Sequence, residues 1–251
     1  MASVEVVFLG EQHDDTVAHR LQLQVLQELQ ARLGEERPLV LSLEMFECDV
    51  QLVLDEYLQG LITEAQFLEA ARPWSNYERD YRPLVEFARL HGWPVLAANA
   101  PQRYVNRVSR LGRQALNDLP PRAYAYLPPL PYPNPSPLYR KQFLDFMQRT
   151  GHSGPHGGDP ERLLDAQALR DAMMAYTLAK HLMRQPEALI VHLTGAFHVA
   201  GGLGTPEMLA RYRPGTRGLV LIWRPAADPS RFDPQVHGGL GDFVWLTPLG
   251  H

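Results

Sequence analysis

Short apolar, β-branched runs alternate along this sequence with longer segments in which apolar residues recur every third or fourth position. The runs predicted to form strands are Val4–Leu9, Pro38–Met45, Pro94–Ala98, Ala188–Thr194 and Arg217–Trp223, and Phe243–Thr247 is a candidate edge strand. Strands that are separated by helices require crossover connections, which favour parallel pairing and place helices on both faces of a sheet. The sequence therefore predicts an α/β fold with a mostly parallel sheet.

Helix signals occupy the segments between the runs. Apolar residues recur every fourth position from Val17 to Leu33, directly before Gly34, and Thr63 with Gln66 has the form of a capping box. Further helices are predicted around Arg79–His91, around Leu138–Arg149, and from Asp159 to about Met183. No internal repeat and no clean linker divides the chain, so residues 1–251 are predicted to form a single domain.

The composition limits the classes of function. With 45% hydrophobic and 21% charged residues the chain is typical of a globular protein, and its net charge of -4 argues against nucleic acid as a partner. No apolar run reaches the length of about 18 residues that a membrane span needs. The first strand begins at Val4, which leaves no room for a signal peptide. We therefore expect a cytoplasmic protein, which would be exported or lipid-anchored only if an N-terminal segment is missing from this sequence. The sequence leaves open whether the protein forms a homo-oligomer.

Two segments interrupt the alternation. Leu119–Pro137 holds eight of the 22 prolines and includes Tyr124 and Tyr126, and Thr150–Asp159 is rich in glycine. Long irregular segments in compact domains are usually functional or disordered. The Pro-rich insertion is therefore either an elaborate surface loop or a lid that forms one wall of a ligand site.

Polar residues capable of chemistry occur where the predicted strands end. They are Glu11 and His13 after the first strand, Glu44 near the end of the second, Asn99 after the third and His198 after the fourth. The carboxyl ends of parallel strands meet at one edge of a sheet, where open α/β sheets bind their ligands. Carboxylates and imidazoles together supply both metal ligands and acid–base groups. The simpler interpretation is that each residue only follows its strand at the surface.

Glu44 is the hardest of these residues to explain as a surface residue, because it lies inside the apolar run 39–46. A carboxylate in such a run is expected to be at least partly buried, and a buried charge requires a partner. His13 or His198 would supply it, with shifted pKa values of the kind found at functional sites.

The long helix and the segment after Asn99 offer further candidates. Gln167 and Asp171 lie four residues apart and share a helix face, so Asp171 either orients a site histidine or is an ordinary exposed acid. The arginines after Asn99 form a basic stripe of Arg103, Arg107, Arg110 and Arg113. The stripe is either a solvated face or, through Arg103, a contact for an anionic ligand.

An ordered set of short motifs resembles the ChaN-like haem-binding family of the Tiki superfamily. The matching elements are Leu9–His13, Leu43–Phe46, Gln51 with Tyr57–Gly60, Trp74, Tyr81–Leu84, Ala97–Asn99, Ala166 and Gln167 with Asp171 and Met174, and Gly195–Val199. The resemblance covers roughly residues 5–210 and implies an α/β sandwich that binds haem. Relatives elsewhere in the superfamily resemble metal-dependent proteases and esterases with a similar Glu–His site. This chain departs from the family in lacking a lipobox cysteine and in carrying Phe197, which would narrow the crevice before His198.

The sequence thus favours a haem-binding protein, with the iron ligated or approached by His13, His198 or a loop tyrosine, Tyr124 or Tyr126. Asn99 and Arg103 are candidates for further contacts with the haem. The alternative is a hydrolase in which Glu11, His13 and His198 hold a divalent metal and Glu44 acts as the general base. A third class, an interaction domain that uses the Pro/Tyr segment, is the least favoured.

Overall fold

The computed structural model describes residues 4–150 and 159–249 of the chain. Within these residues six strands form one sheet in which every neighbouring pair is parallel. The strands are β1 (Val6–Glu11), β2 (Leu39–Glu47), β3 (Val95–Asn99), β4 (Leu189–Gly195), β5 (Gly218–Ala226) and β6 (Phe243–Pro248). Their order across the sheet is β3-β2-β4-β1-β5-β6, which confirms the α/β prediction and the candidate edge strand.

Helices follow most of the strands. Within the same residues the α-helices are α1 (Thr16–Leu33), α2 (Gln51–Leu58), α3 (Glu64–Ala71), α4 (Arg82–Leu90), α5 (Gln102–Leu111), α6 (Pro137–Thr150), α7 (Pro160–Arg184), α8 (Thr205–Tyr212) and α9 (Pro234–His237). α1 begins where the carboxylate of Asp15 accepts the backbone N–H groups of Val17 and Ala18. α3 begins at the predicted capping box, in which both reciprocal hydrogen bonds of Thr63 and Gln66 are present.

The two faces of the sheet are covered by different helices. Val7 and Leu9 of β1 pack in one apolar cluster with Leu26 of α1, and this cluster extends over α2, α3 and α4. Phe8 packs in the other cluster with Leu178 of α7, which extends over α5 and α8. Because both faces are covered, the strands are buried along most of their length, as the near-continuous apolar runs predict.

The strand order places a change of chain direction at the centre of the sheet. From β1 the chain continues to β2 on one side, whereas from β4 it continues to β5 on the other side. β1 and β4 are neighbours, with Glu11 in register with Gly195. At such a switch point the connections diverge, and a crevice opens beyond the carboxyl ends of the strands.

The Pro-rich segment Leu119–Pro137 packs against the helices of the second face. Its Leu127 and Tyr132 are buried in the cluster that includes α5 and α7, and the Tyr132 hydroxyl donates to the backbone carbonyl of Asp165 at 2.9 Å. In the Gly-rich segment, His152 and His156 lie outside the described residues. Across the described part of the chain, none of the helices is long and apolar enough to cross a membrane.

Candidate functional site

A cleft of about 430 Å³ opens at the carboxyl ends of β2 and β3, beside α7. Its walls include Glu44 and Met45 from β2, Asn99 from β3, Gln167 and Arg170 from α7, and the side chains of Trp74 and His198. Most of these side chains are polar, so the cleft differs from an apolar cavity and offers several hydrogen-bonding groups to a ligand.

Glu44 is buried in the floor of this cleft, within the apolar part of β2. Its Oε2 accepts the Thr194 hydroxyl at 2.6 Å and the backbone N–H of Gly195 at 2.7 Å. Its Oε1 lies 3.4 Å from Nε2 of His198. Burial by itself raises the pKa of Glu44, but the positive charge of His198 and these hydrogen bonds outweigh it and hold the pKa well below its usual range.

His198 lies between two carboxylates. Its Nδ1 donates to Oδ1 of Asp171 at 2.8 Å, and Nε2 faces Glu44, while the side chain is only 6% exposed. Burial opposes the charged ring, yet Glu44 and Asp171 raise the pKa of His198 to about 10. The ring is therefore an imidazolium at neutral pH, and in this state neither nitrogen has a lone pair to offer a metal.

Asp171 holds this histidine in place, as one interpretation of the sequence expected. The carboxylate is fully buried, and besides His198 it accepts the hydroxyls of Thr205 at 2.9 Å and Tyr139 at 2.6 Å. A carboxylate with three hydrogen-bond donors has little freedom to turn, so it fixes the orientation of the His198 ring.

A second carboxylate–imidazole pair follows β1. Oε1 of the buried Glu11 accepts the Tyr81 hydroxyl at 2.6 Å and lies 3.2 Å from Nδ1 of His13, while Oε2 accepts Nε2 of Gln22 at 2.5 Å. The His13 side chain is 42% exposed, and its ring meets the edge of Trp74 at 4.7 Å between centroids. Burial lowers the pKa of His13, but the hydrogen bond to Glu11 and the charge of Glu44 outweigh it and raise the pKa.

Gly195 lies between the two pairs. A Cβ at this position would be 2.9 Å from Nε2 of His13 and 3.7 Å from Oε2 of Glu44, so a larger residue would push His13 away from the end of β4. The structure therefore brings Glu11, His13, Glu44 and His198 together at the carboxyl ends of β1, β2 and β4, although Glu44 and His198 alone among them form the cleft wall.

The other residues predicted from the sequence are placed differently. Asn99 lines the cleft, with Oδ1 accepting the backbone N–H of Ala100 at 2.8 Å. Arg103 pairs with Asp49 and stacks over the Tyr104 ring at 4.5 Å, so its charge is already satisfied outside the cleft. Phe197 packs against the aromatic rings of α6 and is not among the residues that line the cleft.

The two loop tyrosines lie outside the cleft wall as well. The Tyr124 hydroxyl donates to the backbone carbonyl of Asn117 at 2.9 Å. The Tyr126 ring lies 5.8 Å from the guanidinium of Arg103. Both side chains are more than a third exposed, and the segment that carries them covers the α5–α7 face instead of the cleft.

Several site residues escaped the sequence reasoning. Tyr81 and Trp74 occur in the motifs that carry the family resemblance, but nothing in their spacing ties them to Glu11 and His13. Arg170 lies three residues after Gln167 on the same helix, so the periodicity that indicated Asp171 also contains the signal for Arg170. Among the described residues, no group of three or more His, Cys, Asp and Glu side chains is arranged to hold a metal ion.

Comparison with known proteins agrees with this architecture. The family model described as "Haem-binding uptake, Tiki superfamily, ChaN" matches residues 1–209. The protein RETICULATA-RELATED 5, chloroplastic, of Arabidopsis thaliana is 24% identical over 267 aligned residues, which cover 98% of this chain and 34% of that protein. The chain thus spans about a third of the length of this curated relative.

Two solved structures share the fold at low sequence identity. A structure of cofacial heme binding to ChaN of Campylobacter jejuni superposes with a TM-score of 0.72 at 18% identity, covering 97% of this chain and 87% of that one. A mutant of the erythromycin esterase EreC in its open conformation gives a TM-score of 0.52 at 11% identity, covering 89% and 70%. Since the family model matches most of the sequence, the chain belongs to the ChaN haem-binding uptake family of the Tiki superfamily.

Proposed function

We propose that this protein binds haem in the cleft at the carboxyl ends of β2 and β3 and along its border at Trp74, a wall residue that contacts His13. The observation that carries the proposal is the family match over residues 1–209, which includes the cleft residues and the strand-end motifs. The cleft volume of about 430 Å³ lies in the range of cofactor pockets. Trp74 and Met45 supply apolar surface, and Arg170 supplies a cation. When bound, haem supplies an iron centre whose reactivity is set by its ligand and by the polarity around it.

His13 is a better candidate for the iron than His198. His198 is 6% exposed and is held as an imidazolium by two carboxylates, whereas the His13 side chain is 42% exposed and is paired with one. A histidine that hydrogen-bonds a carboxylate through one nitrogen is oriented, and made more basic, at the other nitrogen. Glu11 supplies that contact to Nδ1 of His13, which leaves Nε2 for the ligand.

Titration of the purified protein with haemin, followed in the Soret band, tests this proposal. The wild-type protein is expected to give a saturable spectral change, and His13→Ala is expected to weaken binding and to alter the position of the band. His91→Ala, which removes an exposed imidazole after α4, serves as the matched control and is expected to behave as wild type. A wild-type protein without a saturable Soret change would refute haem binding.

Hydrolysis is a second candidate function, favoured by the two carboxylate–imidazole pairs that meet at Gly195. Such pairs are the usual machinery of general acid–base catalysis. The metal-dependent form expected from the sequence lacks a three-ligand group in residues 4–150 and 159–249. Glu44 is also a weak base, because its pKa is held well below the usual range. In this candidate, His13 takes a proton from water as the water oxygen bonds to the ester carbonyl carbon, and the His198 imidazolium stabilises the negative charge that develops. The C–O bond to the alcohol then breaks, and the proton on His13 passes to the leaving alkoxide.

Ester hydrolysis assays with EDTA and with added divalent metal separate the forms of this second candidate. Turnover that persists in EDTA and disappears in His13→Ala would support acid–base hydrolysis without a metal. Turnover that requires added metal would restore the metal-dependent form, and its absence under both conditions would leave haem binding alone.

A further inference from the structure

Arg170 is a cation of the cleft wall that has no acidic partner among the described residues. It lies in α7 directly before Asp171, and its Nη2 donates to the side-chain oxygen of Gln102, a neutral amide. Across the ranges 4–150 and 159–249, no carboxylate lies within ion-pair distance of its guanidinium, because the nearby acids pair with other cations. Asp171 pairs with His198, which leaves the ion-pairing capacity of Arg170 unused.

Two other arginines, which share the carboxylate of Asp49, show the contrast. Arg72 also lines the cleft, but it bridges Glu47 at 3.0 Å and Asp49 at 2.8 Å. Arg103 pairs with Asp49 as well. These two cations are neutralised by protein carboxylates, so a ligand anion would have to compete with those acids. At Arg170 it would meet no such competitor within contact distance.

The charge of Arg170 is only partly compensated by its surroundings. Burial lowers its pKa, and the longer-range attraction of Glu44, Glu47 and Asp171 offsets this only in part. A guanidinium carries five N–H donors in a planar fork, and Gln102 uses one of them. A partly buried cation with unused donors is stabilised by a charge-assisted, bidentate contact with a carboxylate more than by any neutral acceptor.

Gln102 fixes the direction of this fork. Its Nε2 donates to Oδ1 of Asn106 at 2.7 Å, one turn further along α5, so its Oε1 is held toward Arg170. The guanidinium is thereby held by a hydrogen bond to α5, while the backbone of Arg170 is part of α7. This arrangement orients the remaining donors before any ligand arrives, which reduces the entropy lost on binding.

We propose that Arg170 is the carboxylate-binding residue of the cleft and that the ligand is an amphiphilic anion with a carboxylate seated on its guanidinium. This inference rests on the proposed haem function, under which the carboxylate is a propionate of the porphyrin. It replaces Arg103, which the sequence indicated for this role and which Asp49 already neutralises.

The test compares haemin with its dimethyl ester, in which both propionates are blocked, by Soret titration of wild-type protein, Arg170→Gln and Arg170→Lys. Arg170→Gln is expected to weaken haemin binding about tenfold or more, since a charge-assisted contact is lost. Its affinity for the dimethyl ester is expected to stay within about twofold of wild type. Arg170→Lys keeps the charge but loses the fork, so its haemin affinity is expected to fall between the two.

Arg162→Gln is the matched control, because Arg162 lies on the same helix, is about half exposed and carries the same charge. It is expected to bind both probes as the wild type does. If Arg170→Gln, with wild-type circular dichroism, binds haemin as tightly as the wild type, the inference is wrong while haem binding stands. If Arg170→Gln lowers the affinity for haemin and for the dimethyl ester equally, Arg170 stabilises the cleft without binding the carboxylate, and the inference is again wrong. If the wild type binds neither probe, both proposals fall.

Discussion

Replacing Glu44 by Gln tests whether the buried charges of the cleft act as one unit. The substitution keeps the size of the side chain but removes the negative charge that faces His198 at 3.4 Å. It also forces a conflict, because the carboxylate accepts hydrogen bonds from Thr194 and Gly195 on one oxygen and faces an imidazolium on the other. A glutamine presents one oxygen and one NH₂ group. Its NH₂ group must therefore face either the Thr194 and Gly195 donors or the N–H of His198.

The size of the effect follows from this geometry. Removing one partner of a buried ion pair costs about 3–5 kcal/mol, because the other charge stays buried without compensation. Asp171 still holds His198 at 2.8 Å in the variant, so we expect the lower end, about 3 kcal/mol in the free energy of unfolding. Because part of this loss is coupling to the imidazolium, the pKa of His198 is expected to fall toward its ordinary value in the variant.

Two measurements check the reasoning: urea denaturation at pH 7, and a pH titration of the His198 ring by NMR. Glu28→Gln is the control, because Glu28 pairs with Arg32 at 2.9 Å on the exposed side of α1 and its loss is expected to cost no more than about 0.5 kcal/mol. A Glu44→Gln protein within about 1 kcal/mol of the wild type would refute the coupled charge unit. An unchanged pKa of His198 would refute it independently.

Three further expectations concern His198 and two residues of β4. His198 has a raised pKa, so its contribution to stability is complete below about pH 6.5, and the free energy of unfolding should fall as pH rises from there to about 10. In urea denaturation at several pH values, Asp171→Asn should reduce this dependence. His192 is fully buried in β4, and burial lowers its pKa to about 3, so the free energy of unfolding should also fall as pH drops from about 6.5 to about 3. His192→Phe should reduce this acid dependence in the same measurements. Gly195→Ala should cost about 1–3 kcal/mol and change the haemin spectrum, because its Cβ would lie 2.9 Å from Nε2 of His13; an unaltered crystal position of His13 would contradict this.

The sequence predicted the fold because the signals for it are local. Apolar runs, capping residues and the spacing of helices are properties of neighbouring residues, and the alternation of strands and helices leaves few topologies. The burial of Glu44 was also predictable, since it stands in a run that the sheet buries on both faces. The rule that parallel strands end at one edge offered His13 or His198 as its partner, and the structure shows that Glu44 faces His198 at 3.4 Å.

The features that local sequence patterns do not show depend on contacts between distant segments. Arg103 lies at the expected place after β3, but Asp49, 54 residues earlier, neutralises it. The Pro-rich segment has the composition of a lid, yet Tyr132 finds its partner on α7, and this contact draws the segment over the helical face. No local pattern shows which of several acids or carbonyls a long side chain will reach.

The protonation states at the strand ends constrain both proposed functions in the same way. His198 is positively charged and held by two carboxylates, and Glu44 is negatively charged and held by three donors, so neither is free to ligate iron or to take a proton without breaking this arrangement. His13 has one carboxylate partner and a side chain that is 42% exposed. Under either proposed function, His13 is therefore the group we expect to react. The buried charges of Glu44, His198 and Asp171 would then stay in place and stabilise charge beside it. Substitutions of His13 should therefore weaken haemin binding, or abolish hydrolysis, in a stable protein, whereas substitutions of Glu44, His198 or Asp171 should lower stability first.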